Sequence, residues 1–123
     1  MIRIGDINSD SFPDLLAVTK EKNSERQFTR VYLNTDIKDS NAPKDSKPVR
    51  SFRLNNTYQI PVNNTVQASF FDLDENGQLD ILLVVKEQKG SDVVYNTIGF
   101  YNNYIYDAFF LKSVTLLSRN VFF

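Results

Sequence analysis

Asp6, Asn8, Asp10 and Asp14 occupy the first, third, fifth and ninth places of one short stretch, and Asp72, Asp74, Asn76 and Asp80 fill the same places of a second. Side chains as short as Asp and Asn, set on alternate residues of a tight turn, can aim their oxygens at one centre. The ion that suits such a centre is calcium, a hard cation taking about 6–8 oxygen ligands at about 2.3–2.6 Å. The residues in seventh place, Phe12 and Gln78, are expected to add backbone carbonyls. Gly77, in sixth place, suits a left-handed backbone at the turn; Ser11, its counterpart in the first copy, suits it less well. Charge points the same way. Two carboxylates about 4 Å apart repel by about 4 kcal/mol at an effective dielectric of about 20, and a divalent cation reverses the sign. Magnesium fits less well, because it demands near-octahedral geometry and holds its waters.

These carboxylates admit other readings. An EF-hand loop opens like the second copy, with Asp-x-Asp-x-Asn-Gly, but requires an acidic residue in twelfth place. Leu83 and Ala17 stand there instead, and the flanks read as strands where an EF-hand has helices. A single Asp/Asn/Gly cluster between strands is more often a hairpin turn than a metal site. Two copies with the same four places filled argue for the metal. Glycoside hydrolysis needs two carboxyls facing across a cleft, whereas each set here lies within one turn. A metal-dependent hydrolase with a two-metal site stands only as the last alternative, and a non-enzyme is expected.

The wider composition removes further chemistries. The 123 residues include no cysteine and no histidine. A disulfide framework, cysteine-ligated zinc and the commonest general base are thereby excluded. The net charge of −1 supplies no field that would draw in nucleic acid. A hydrophobic fraction of 41% with 24% charged residues is that of a globular chain and not a disordered one. The 10 Phe and 6 Tyr favour strands.

Strands are what the loops need on either side, and strand-like runs recur: Asp14–Lys20, Gln27–Asn34, Val49–Leu54, Val66–Phe71, Leu79–Lys86, Asp92–Tyr101 and Ala108–Leu117. No long segment has helical periodicity. The polar stretch 36–48, with Pro43 and Pro48, reads as an exposed loop. The Phe109, Phe110 and Leu111 cluster reads as strand core. No apolar run approaches the roughly 20 residues of a membrane helix, and Met1 to Asp6 does not read as a signal peptide. The fold class expected is all-β and antiparallel. Asn55-Asn56-Thr57 and Asn63-Asn64-Thr65 are glycosylation sequons.

The two loops resemble the FG-GAP repeats of integrin α-subunit β-propellers, where calcium sits in a hairpin loop of a blade. A broader resemblance is to the T-cell immunomodulatory protein family. It is carried by the segment from Ile4 to Asp14, by Ala68-Ser69-Phe70-Phe71-Asp72 through Asp80-Ile81-Leu82, and by Asp107-Ala108-Phe109-Phe110-Leu111-Lys112, in this order. That resemblance implies an extracellular FG-GAP propeller, a following β-rich domain and a membrane anchor outside this chain. Residues 1–101 would be a propeller segment and 102–123 the start of the next domain. A propeller has at least about 4 blades of four strands, so the propeller would be incomplete here. Localisation would be the extracellular or lumenal side of a membrane, and the partner a protein. The alternative is a small cytoplasmic calcium-binding interaction module, complete as written. The chain departs from the family in lacking its cysteines.

Overall fold

The computed structural model describes residues 1–24, 26–37, 47–56, 58 and 60–102. Two antiparallel sheets form the fold. The first has β1 (Ile2–Gly5), β2 (Asp14–Lys20), β3 (Gln27–Ile37) and β4 (Val49–Leu54) in sequence order. The second has β5 (Thr65–Phe71), β6 (Asp80–Lys89) and β7 (Asp92–Phe100), also in order. No helix is present among the described residues, and none there is long and apolar enough to cross a membrane. The architecture is all-β and antiparallel, as expected. The described strands do not close into a propeller. Ala108–Leu117, and the domain start read over 102–123 apart from Asn102, lie outside the described residues.

Each acidic stretch is the connection of a hairpin. The first joins β1 to β2, whose register pairs Gly5 with Asp14; the second joins β5 to β6, where Phe71 pairs with Asp80. The two loops therefore leave equivalent ends of equivalent strand pairs. The β5 strand carries a register shift between Thr65 and Gln67, a β-bulge of the kind that sharpens strand twist.

The sheets pack against each other through one apolar core. Leu16 and Val31 from the first sheet meet Ala68, Ile81, Leu83 and Val85 from the second, and Ile7 joins them from the first loop. Leu16, Val31, Ala68 and Leu83 are fully buried. Alternation along β2 and β6 explains this, since every second side chain of a strand faces the same layer. Leu83 and Ala17, the residues that stand where an EF-hand would carry its acid, are both buried strand residues. Gly5 lies close against the second sheet and its loop: a Cβ there would lie 2.6 Å from the Phe70 ring and 2.8 Å from Leu79.

Several boundaries differ from the sequence reading. The polar stretch begins two residues later than expected, because Asp36 and Ile37 belong to β3. Asp36 pairs across the ladder with Arg50 of β4, and the two side chains form an ion pair at 2.7 Å. A charge pair directly opposite on neighbouring strands stabilises the pairing, which extends the strand into polar sequence. β5 starts one residue earlier than expected, at Thr65, and β6 one residue later, at Asp80.

Candidate metal centre

The two loops share one hydrogen-bonding scheme. In the first, the Asp6 carboxylate accepts the backbone N–H of Asp10 at 3.0 Å and of Ser11 at 2.8 Å. In the second, Asp72 accepts those of Asn76 at 3.0 Å and Gly77 at 2.9 Å. The fifth residue then accepts from the seventh: Phe12 N–H donates to Asp10 at 2.9 Å, and Gln78 N–H to Asn76 at 2.8 Å. The third and fifth side chains also meet, Asn8 donating to Asp10 at 3.1 Å and Asn76 to Asp74 at 3.0 Å. These are Asx-type turns, in which a short side chain replaces a backbone acceptor.

Backbone conformation follows the same parallel. Ser11 and Gly77 both take positive φ, 69° and 86°. So do Ser9 and Glu75, at 55° and 59°, in fourth place of each loop. The left-handed sixth position was legible from Gly77. The left-handed fourth position was not, because Ser and Glu carry no such signal.

The ninth residue does something different from the rest. Asp14 is fully buried and Asp80 is 1% exposed. Asp14 accepts the N–H of Ile7, in its own loop, at 3.1 Å, and that of Asn34, in β3, at 2.8 Å. Asp80 accepts the N–H of Leu73 at 2.8 Å and of Asn102 at 2.7 Å. Each of these carboxylates thus clasps its loop to the backbone across the sheet. Burial pushes the Asp14 carboxyl above its ordinary value; the Asn34 and Ile7 amides oppose this, and the charges of Asp10 and Asp6 reinforce it.

The loops differ in how closely their carboxylates gather. Asp72, Asp74 and Asp80 each offer an oxygen, and these oxygens all lie within 4.8 Å of one another. In the first loop the third place is Asn8 and not a carboxylate, so no equivalent carboxylate trio forms there. A carboxylate oxygen that accepts one N–H keeps further acceptor capacity, so these carboxylates retain lone pairs beyond their bonds within the loop. The set is all hard oxygen, as calcium requires. Asn76 turns its amide nitrogen to Asp74 and its oxygen to the Gln78 N–H. Gln78 is partly buried at the turn and Phe12 is exposed.

Two residues outside the loops complete the arrangement, and sequence reasoning singled out neither. Asn102, buried behind the second loop, donates from its side chain to the Ile7 carbonyl at 2.7 Å and to the Leu79 carbonyl at 3.2 Å. Arg50 reaches the first loop from β4, its guanidinium 3.7 Å from the Asp10 carboxylate and stacked on the Phe12 ring. Of the sequon residues, Asn63 is exposed and Asn55 partly buried.

Curated relatives align with nearly all of this chain. A T-cell immunomodulatory protein homolog of Plasmodium falciparum (isolate 3D7) is 34% identical over 122 residues, covering 94% of the chain and 16% of the relative. The chain is homologous to a segment of the T-cell immunomodulatory proteins. The protein of that name from Rattus norvegicus is 32% identical over 119 residues, and the one from Homo sapiens 28% over 116, each matched over 18% of its own length. The chain therefore spans less than a fifth of these relatives. No family model matches it, and no solved structure matches it.

Proposed function

We propose that this chain is a calcium-binding, FG-GAP-type segment of a surface protein and acts as a non-enzymatic scaffold for protein interaction. The observation that carries the reading is the convergence of Asp72, Asp74 and Asp80 within 4.8 Å, in a hairpin loop whose design the first loop repeats. Calcium in the second loop would be held by Asp72, Asp74, Asn76 and Asp80 with the Gln78 carbonyl. The corresponding set of the first loop is Asp6, Asn8, Asp10, Asp14 and Phe12. The ion would act structurally, neutralising crowded carboxylates and stiffening a turn at the sheet end. Relatives named immunomodulatory proteins support a protein partner and a surface location. Anchoring to a membrane would come from a segment outside this chain, and the propeller would be completed by further blades.

The test is thermal unfolding of the purified chain in calcium and in excess chelator, with Asp74→Asn as the control. Asp74 is exposed, and its carboxylate accepts only the Asn76 amide, so the substitution leaves the backbone clasp intact. A ligand that binds only the folded state raises the midpoint by mass action, by about 2.7 kcal/mol at 100 times its Kd. The expected result is a midpoint raised by calcium in the wild type and unmoved in Asp74→Asn. Identical melts in calcium and chelator would refute the calcium reading and leave the loops as Asx turns.

A further inference from the structure

We propose that this chain binds a second copy of itself head to tail, the outer face of the β1–β4 sheet in one copy receiving the outer face of the β5–β7 sheet in the next. The inference rests on sheet packing and holds whether or not the loops take calcium.

The hairpins that carry the two acidic loops are equivalent, so their residues correspond place by place. Ile4 opposite Leu15 corresponds to Phe70 opposite Ile81, and Ile2 opposite Ala17 to Ala68 opposite Leu83. The next strand continues the correspondence, Leu15 facing Tyr32 as Ile81 faces Phe100. Residues directly opposite on paired strands share a face of the sheet. The core uses these faces unequally. The β5–β7 sheet turns Ala68, Phe70, Ile81, Leu83 and Phe100 inward. The β1–β4 sheet turns in Leu16, Val18, Val31 and Leu33, which belong to its other face, with Ile7 above them. The internal contact is therefore heterologous: two different faces of one design meet. A heterologous contact does not use itself up, because each sheet keeps the complementary face open for a further copy.

The open face of β1–β4 is the counterpart of the face that β5–β7 buries. Ile2 is 60% exposed on it and Ile4 70%, with Phe52 and Leu54 also exposed. A groove of about 480 Å³ runs across it, lined in part by Leu15, Ala17 and Tyr32. A contiguous apolar surface of this kind marks an interaction site. Arg30, opposite Ala17, is exposed there, and an arginine stem can lie along apolar surface while its head stays in water.

The open face of β5–β7 is the counterpart of the face that β1–β4 buries. Leu82 and Val84 stand where Leu16 and Val18 are packed, and Leu73 stands where Ile7 is; all three are half-buried. Leu73 covers Gly99, whose Cβ would lie 2.8 Å from it. Thr97, opposite Val84, is exposed, whereas Thr29, opposite Val18, is 5% exposed in the internal contact. The chain thus carries both halves of an interface it already makes once within itself, and a second copy continues that interface at either end.

The experiment is light scattering during size-exclusion chromatography of the full chain over a wide concentration range. The samples are wild type, Ile4→Lys, Thr97→Lys and an equimolar mixture of the two variants. Ile4 and Thr97 are exposed, one on each open face, so a charge at either spares the internal core. The wild type is expected to assemble with concentration and to pass beyond a dimer. Each variant alone is expected to stay monomeric, because every contact needs one face of each kind. The mixture is expected to form a one-to-one dimer and stop, the intact β1–β4 face of Thr97→Lys seated on the intact β5–β7 face of Ile4→Lys. A wild type that stays monomeric throughout would overturn the proposal and leave these faces to another part of a longer chain or to a different protein. Association of one variant alone would overturn it as well, since only a like-with-like contact survives there. A monomeric mixture beside an assembling wild type would do the same. Ile2→Lys and Tyr95→Lys, exposed on the same two faces, replace either variant whose circular dichroism shows it unfolded.

Discussion

Asn102 donates its side-chain amide to the carbonyl of Ile7 at 2.7 Å, although the two stand at opposite ends of the described chain. The same residue gives its backbone N–H to Asp80 at 2.7 Å. Ile7 lies between Asp6 and Asn8 of the first loop, and Asp80 closes the second. A single buried asparagine therefore joins both acidic loops and, with them, both sheets.

Asn102→Ala is expected to destabilise the fold through both loops. It would leave the Ile7 carbonyl without this donor in a buried setting, a loss of about 1–3 kcal/mol. Denaturant unfolding measures the cost. Asn102→Asp is a sharper variant, because a carboxylate cannot donate to a carbonyl and should cost more than alanine. Unfolding midpoints unchanged in both would show that the bridge contributes nothing.

Gly77 and Ser11 occupy the same left-handed place in their loops. A side chain there costs about 1–2 kcal/mol. Gly77→Ala should lower stability by that amount, and Ser11→Gly should raise it by less, since glycine also loses more freedom on folding. Unfolding in chelator isolates the backbone effect. Opposite signs for the two variants are the expected outcome, and equal signs would contradict it.

Asp14 sets an expectation for pH. Burial raises its folded carboxyl above the ordinary 3.8, so the folded chain holds this proton more tightly than the unfolded one. Its contribution is fully present below the ordinary value and is lost as pH rises through the raised folded value. Unfolding in chelator across that interval should show this component in the wild type and lack it in Asp14→Asn. The asparagine variant should also be less stable throughout, because its single oxygen cannot serve both the Ile7 and Asn34 amides as the carboxylate does. An identical pH profile for the two would assign the effect elsewhere.

Thr65 separates stability from modification. Its hydroxyl is fully buried and, among the described residues, without a hydrogen-bond partner, while Asn63 of the same sequon is exposed. Replacing an unpaired buried hydroxyl by a methyl of the same shape removes a desolvation cost, so Thr65→Val should stabilise by about 1 kcal/mol. In secretory expression the wild type is expected to carry a glycan at Asn63 that Thr65→Val and Asn63→Gln both lack. Mass spectrometry before and after glycosidase treatment reads this directly.

Much of this architecture is legible in the residues themselves. Strand runs such as Asp14–Lys20 and Val49–Leu54 stand where alternation and turn chemistry place them. The loops announce themselves through short polar side chains at fixed intervals. Arg50 and Asn102 do not, because their roles come from ladder register and sheet packing and leave no local signature. Ile7 likewise looks like a loop residue between two ligands, yet it is 2% exposed and belongs to the core. Asp14 and Asp80 read as metal ligands from spacing, while their bonds to backbone amides across the sheet depend on contacts that spacing cannot express.

Those two carboxylates have a kinetic meaning as well. Asp14 holds the amides of Ile7 and Asn34, and Asp80 those of Leu73 and Asn102. An opening that unseats the shared carboxylate frees both amides of its pair at once, so that event exposes the two protons together. Hydrogen exchange follows such cooperative openings. The loop and the distant backbone it grips would then exchange on one clock, and a turn that looks like surface decoration would set the lifetime of the sheet end beneath it.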